Sequence, residues 1–187
     1  MATRVGRRAA LCSMTCGAAG SLLLARAAQA RPDDVPGWEA SRWGMTLATL
    51  DRTFAGRIRT VDPFVFGPFV ATRIIERVAV AGVPFVVFFQ TRPPDTRLAQ
   101  VLLQFRGSRP TPNEGAAVRA ALGQELGRAD GRDEESDYSG TFPSYAIVFR
   151  WVFATTRIVL RYVDRYGEFD RRVRKELLIR YAPTRPA

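Results

Sequence analysis

The chain contains no histidine, a single lysine (Lys175) and only two cysteines, Cys12 and Cys16, both within the first thirty residues. Beyond residue 30 it therefore has neither thiol nor imidazole. Those absences exclude cysteine nucleophiles, Ser-His-Asp triads, histidine general bases, His or Cys zinc sites and haem ligation by histidine. No Gly-x-Gly-x-x-Gly fingerprint follows a strand-like run, and no Gly-x-x-x-x-Gly-Lys loop exists, the lone lysine lying in a late strand-like segment. Carboxylate, tyrosine and arginine chemistry stay open. A glycoside hydrolase needs a facing carboxylate pair, and nothing in the sequence pairs Glu76, Asp95, Glu114 or Glu125. The expectation is a protein that is not an enzyme, with no catalytic residue, no metal ligand and no cofactor.

The first thirty residues also lack any acid. Their basic start (Arg4, Arg7, Arg8) leads into a mildly apolar run from Ala9 to Ala25, and Ala28-Gln29-Ala30 supplies the small-x-small triplet of a cleavage site. A signal peptide over residues 1–30 is expected, cut after Ala30 so that Arg31 becomes the first mature residue. The apolar run is shorter than the about 20 residues of a membrane span and is diluted by Ser13, Thr15, Gly17 and Gly20, which disfavours a retained anchor. Arg7-Arg8 followed by Leu11 fits a twin-arginine signal, and a plain secretory signal fits equally well. The residues before each cysteine do not form the Leu-small-small triplet of a lipidation site. The expected compartment is the periplasm.

Removing that segment changes the charge. The chain has 28 basic and 18 acidic residues; Arg4, Arg7, Arg8 and Arg26 precede residue 30 while every acid follows it, leaving 24 against 18, or +6. Nucleic acid is not an expected partner. Weak contact with an anionic membrane surface remains open.

Residues 31–43 (RPDDVPGWEASRW) read as an extended lead-in, because two prolines and a glycine oppose helix. A single domain is expected over 44–187. Thr46 is a good N-cap, Leu47, Leu50 and Phe54 share one helical face, and Gly56 suits the stop. After the proline-interrupted stretch VDPFVFGPFV, segments near 71–80, 84–91 and 97–106 are rich in β-branched and aromatic residues, with connections too short for crossover helices. They predict an antiparallel meander, in which Val101, Leu103 and Phe105 alternate with Gln100, Leu102 and Gln104.

The pattern then recurs. Thr111-Pro112-Asn113-Glu114 is a capping box with proline at N1, Val118, Leu122 and Leu126 continue one face, and Gly127 stops the helix. After a polar loop over 128–140 come strand-like runs near 144–153, 155–163 and 174–182, with Ile158, Leu160 and Tyr162 alternating against Arg157, Val159 and Arg161. The fold class is α+β: two tandem helix-then-three-strand units, about 44–106 and 111–182, forming an antiparallel sheet with helices on one face. The units share pattern and no residue-level identity.

Trp43-Gly44-Met45-Thr46 opening a short helix before a meander resembles the helix-then-sheet units of small bacterial envelope proteins. Examples are the BamE-type outer-membrane assembly lipoproteins, in which Gly-Met-Thr precedes a helix, and the tandem β-lactamase inhibitor proteins. The resemblance is specific over four residues and is one of pattern elsewhere. No lipidation cysteine matches the former group, and no mature-chain cysteines match the disulfides of the latter, so neither activity transfers residue by residue. What the resemblance implies is a sheet covered on one side by helices and built to bind proteins.

Three features suggest sites. The acidic run 130–137 (DGRDEESD) packs five carboxylates into eight residues, but it lacks the ligand order of an EF-hand and reads as a solvated loop rather than a calcium site. Arginines interleave with aromatics through Arg150, Trp151, Arg157, Arg161, Tyr162, Arg165 and Tyr166, which suits solubility and edge protection first, and anionic surfaces second. Trp38 and Trp43 lie in or beside the lead-in, as a lid over the sheet or as recognition anchors. Trp43, Arg150, Trp151 and Arg161 are thus the protein-binding candidates. The expected function is that of an exported adaptor engaging another envelope protein through its sheet. An inhibitor-like or small-ligand-binding module is the alternative, and a carboxylate-dependent hydrolase the second alternative.

Overall fold

The computed structural model describes residues 30–137, 144–164 and 176–185. Apart from Ala30, the expected signal peptide lies outside the described residues, as do Arg165, Tyr166 and Lys175. The chain forms helices α1 (Leu47–Thr53) and α2 (Pro112–Leu126) and strands β1 (Arg59–Phe66), β2 (Phe69–Val80), β3 (Val83–Thr91), β4 (Leu98–Phe105), β5 (Gly131–Asp137), β6 (Ser144–Val152), β7 (Thr156–Asp164) and β8 (Glu176–Pro183). All eight strands build one antiparallel sheet in the order β1-β2-β3-β4-β8-β7-β6-β5. The α+β class is as expected.

The expected helix-then-three-strand units are not what the chain builds. Four strands follow each helix, and the sheet dominates the molecule. The two extra strands are the edges. β1 arises from the stretch read as proline-interrupted: Pro63 falls where the β1–β2 register shifts between Thr60 and Phe64, on an edge strand that can spare an N–H. β5 arises from the run read as a polar loop, and it pairs with β6 over every residue from Gly131 to Asp137.

Both helices start where the sequence places them. The Thr46 side chain accepts from the Thr49 amide, while Thr111 and Glu114 complete a reciprocal capping box ahead of Pro112. α1 buries Leu50, with Phe54 capping its end, and α2 buries Val118, Leu122 and Leu126, one residue per turn. These side chains meet Phe85, Val87 and Phe89 of β3, Val101 and Leu103 of β4, and Ile158, Leu160, Leu177 and Ile179 of β7 and β8 in a single core. Each of these strand residues alternates with a neighbour on the opposite face, which neither α1 nor α2 covers.

The lead-in is folded onto the core rather than merely extended beside it. Trp38, 6 % exposed, stacks on Phe54 at 5.8 Å and meets the edge of Phe89 at 5.9 Å. The buried Ser41 hydroxyl closes this turn by accepting from the Trp38 amide and donating to the Trp38 carbonyl. Further anchors are a bidentate pair from Arg31 to Asp130, Asp34 accepting from the Thr155 amide and hydroxyl, and the Trp43 indole donating to Thr156 Oγ1 at 2.9 Å.

Candidate functional site

The pairing register lays out the helix-free face row by row. One row runs Ile74, Phe88, Leu102, Arg180, Val159 and Arg150. The next runs Val86, Gln104, Leu178, Arg161, Val148 and Asp133. The face therefore changes chemistry across the junction of β4 and β8. It is apolar on the β1–β4 side and charged on the β5–β8 side.

On the apolar side, Ala71, Ile74, Phe88, Leu102 and Leu178 form a second buried cluster with Val61, Phe66 and Val86 packed against it. Phe88 is met edge-on by Phe64 at 5.4 Å and by Phe66 at 5.0 Å. Phe64 nevertheless stays 46 % exposed on this face, while Val65, 71 % exposed, alternates to the other. An apolar edge that a β1 residue cannot bury within its own fold is the usual mark of a contact surface.

On the charged side, arginines and carboxylates alternate as a ladder. Arg150 pairs with Asp133 and with Glu135, whose other oxygen accepts from Arg161 at 3.4 Å, and Arg161 reaches Glu176 at 3.1 Å. The ladder explains why a carboxylate-rich run makes a strand: Asp133 and Glu135 point at cations supplied by β6 and β7. Asp130, at the start of that run, accepts from Arg31 and from the Val152 amide, and its pKa falls to about 2, chiefly through the Arg31 hydrogen bond. Among the described residues, no group of three or more metal-ligating side chains comes together, and the acidic run is the edge strand β5 rather than the solvated loop expected.

Between the two sides lies a concavity of about 650 Å³, lined by Phe66, Phe69, Gln90, Gln100, Leu102, Leu178 and Arg180 among others. A second, of about 580 Å³, opens at the end of the sheet beside Trp43, Arg92, Arg97, Arg157 and Arg180. The two share Phe69, Gln100 and Arg180. Arg180 is crowded though open to solvent: desolvation lowers its pKa first, the charge of Arg161 adds to this, and Glu176 opposes it.

The four residues singled out in the sequence separate. Arg150 and Arg161 stand on the helix-free face within the ladder. Trp151 points the other way: it is 1 % exposed, belongs to the core and donates its indole N–H to the Gly127 carbonyl at 2.9 Å, so its ring is not available to a partner. Trp43 packs partly buried against the core and contributes one wall of the end concavity. The exposed Phe64 and Val65 and the buried pair Gln90 and Gln100 were not singled out. Two adjacent apolar residues beside a proline in VDPFVF were the available signal for the former.

A further concavity, of about 590 Å³, lies beneath the lead-in and is lined by Asp34, Glu39, Glu125, Trp38 and Tyr181 among others. Of its carboxylates, Asp34 accepts from Thr155 and Glu39 pairs with Arg57. No protein-family model, no curated protein and no solved structure matches the chain.

Proposed function

We propose that the chain is an exported, non-enzymatic binding or adaptor protein that engages another envelope protein through the helix-free face of its sheet. The observation that carries this reading is the exposed ring of Phe64, continuous with the Phe66 and Phe88 cluster on a face that neither helix covers. Aromatic side chains at the rim of a pre-formed face provide large contact area at low entropic cost. The adjoining ladder of Arg150 and Arg161 would supply charge that fixes orientation. The export signal read in the sequence supports an envelope location, and the absence of thiol and imidazole beyond residue 30 supports binding over turnover.

The test is crosslinking in the native envelope with a photoreactive residue at position 64, against position 52 on α1. A discrete crosslinked species from position 64 and none from position 52 is expected. Equal crosslinking from position 52, or no discrete species from position 64, rules this face out as the interface. A second reading, that of an inhibitor-like or small-ligand-binding module, is favoured by the concavity along the β4–β8 junction.

A further inference from the structure

The residues around the β4–β8 junction have more hydrogen-bond donors than the fold uses. Gln90 and Gln100 face one another across β3 and β4, 0 % and 6 % exposed, and the Gln100 amide donates to Gln90 Oε1 at 2.5 Å. Among the described residues this leaves Gln90 Nε2 buried without a partner, in a side chain that lines the concavity. A buried amide without an acceptor costs on the order of 1–3 kcal/mol, so a sheet that keeps one beside a cavity calls for an acceptor to occupy it.

Three of the four guanidinium groups nearby are also uncommitted among the described residues. Four arginines (Arg92, Arg97, Arg157 and Arg180) and one acid (Asp95) line the end concavity. Asp95 already accepts from the Arg97 backbone amide, and Arg97 donates to the Gly44 carbonyl. Among the described residues, Arg92, Arg157 and Arg180 have no ion-pair or hydrogen-bond partner, unlike Arg150 and Arg161 a few residues away. Arg157 and Arg180 lie on the same face of neighbouring strands, near enough for their charges to repel. Glu176 and Glu135 offset part of this repulsion, and a further negative group beside the unsatisfied donor would offset more of it.

The walls give the rest of the ligand. Phe66, Phe69, Leu102 and Leu178 line the adjoining concavity, which opens from the same Gln100 and Arg180. We infer that the β4–β8 junction is a binding site for an amphiphilic anion. A phosphate or carboxylate head lies against Arg157, Arg180 and the Gln90–Gln100 pair, and an apolar body lies along Phe66, Phe69, Leu102 and Leu178. The head is the group that a soluble amphiphile and a lipid of the bilayer share. This site adjoins the docking surface and shares its Phe66 wall, but Phe64, the position probed by crosslinking, lies outside the lining of both concavities.

Calorimetric titration of the purified protein tests it, with dodecyl phosphate below its micelle concentration, inorganic phosphate, and phosphatidylglycerol vesicles as separate probes. Saturable binding of one dodecyl phosphate per chain is expected, at least tenfold tighter than inorganic phosphate. Arg157→Gln with Arg180→Gln should weaken it at least tenfold, and Arg52→Gln with Arg128→Gln, which removes the same charge elsewhere, less than twofold. Gln90→Leu, which removes the unpartnered donor while keeping the bulk, should weaken it several-fold without lowering the thermal midpoint. Vesicle binding weakened selectively by the Arg157 and Arg180 changes would identify a bilayer lipid as the source, and its absence a free amphiphile. Three outcomes would overturn the proposal: no saturable binding of dodecyl phosphate, equal losses in the two double variants, or inorganic phosphate binding as tightly as dodecyl phosphate.

Discussion

Arg31 and Asp130, ninety-nine residues apart in the chain, form a two-pronged ion pair with N–O distances of 2.6 and 2.8 Å. The same carboxylate accepts from the Val152 amide, and Arg31 also donates to the Val152 carbonyl. The start of the lead-in is thereby tied to the beginning of β5 and the end of β6. Because Asp130 titrates at about 2 in the fold against an ordinary 3.8, its contribution is complete above roughly pH 4 and is lost as the pH falls through 2. The side chains are about a third exposed, so Asp130→Ala should cost only about 1 kcal/mol at pH 7. Urea unfolding of wild type and variant across pH 7 to 2 should show that difference narrowing only below pH 4.

Gly37 is fixed by space. A Cβ there would lie 2.2 Å from the Ser41 carbonyl oxygen, a backbone atom that cannot turn aside. Gly37→Ala should therefore disrupt the Trp38–Ser41 turn and destabilise by about 1–3 kcal/mol. Gly131, with nothing within 4 Å of its Cβ position, is the comparison: Gly131→Ala should stay within about 0.5 kcal/mol of wild type by thermal unfolding.

Trp38 belongs to the core although it precedes every regular element. Trp38→Ala empties the space between Phe54 and Phe89 and should cost about 3–5 kcal/mol in chemical denaturation. A lead-in that only brushed the surface would lose less than about 0.5 kcal/mol on the same change.

Glu135 bridges two arginines from neighbouring strands while remaining 47 % exposed. Glu135→Gln should lower stability by no more than about 1 kcal/mol in low salt, and by less in 1 M salt, where screening has already weakened the ladder. Glu135→Lys should cost more, since it places a third cation against Arg150 and Arg161. Unfolding midpoints at two salt concentrations separate these effects.

Both helices and six of the eight strands were legible because their signals are local. A capping box, an i, i+4, i+8 face in Val118, Leu122 and Leu126, and strict alternation through Arg157–Tyr162 need no knowledge of neighbours. The two edge strands were not legible. Asp133 and Glu135 become acceptable in a strand only when Arg150 and Arg161 arrive beside them, and Pro63 is tolerated only because β1 has one free side. Trp38 carries no periodic signal, since a loop residue is buried by what it falls onto. Of the candidate site residues, Arg150 and Arg161 were placed on the open face, while Trp151 went to the helix side with Phe149, its neighbour two positions away. Gln100 fell on the wetter side of the alternation read in β4, and only the register shows it enclosed against Gln90.

The junction of β4 and β8 is only four residue pairs long, from Val101–Tyr181 to Gln104–Leu178, and among the described residues no other strand pairing joins β1–β4 to β5–β8. Within each half every strand pairs with its immediate successor in the chain, so these contacts close quickly, whereas the junction must gather segments some eighty residues apart. Until it closes, Val101, Leu102 and Leu103 offer an apolar, unpaired strand margin to any neighbouring nascent chain. The last step of assembly is then also the moment of greatest exposure to aggregation and to exchange of halves between copies. A crowded compartment would punish delay at that step more than any loss of stability in the finished fold.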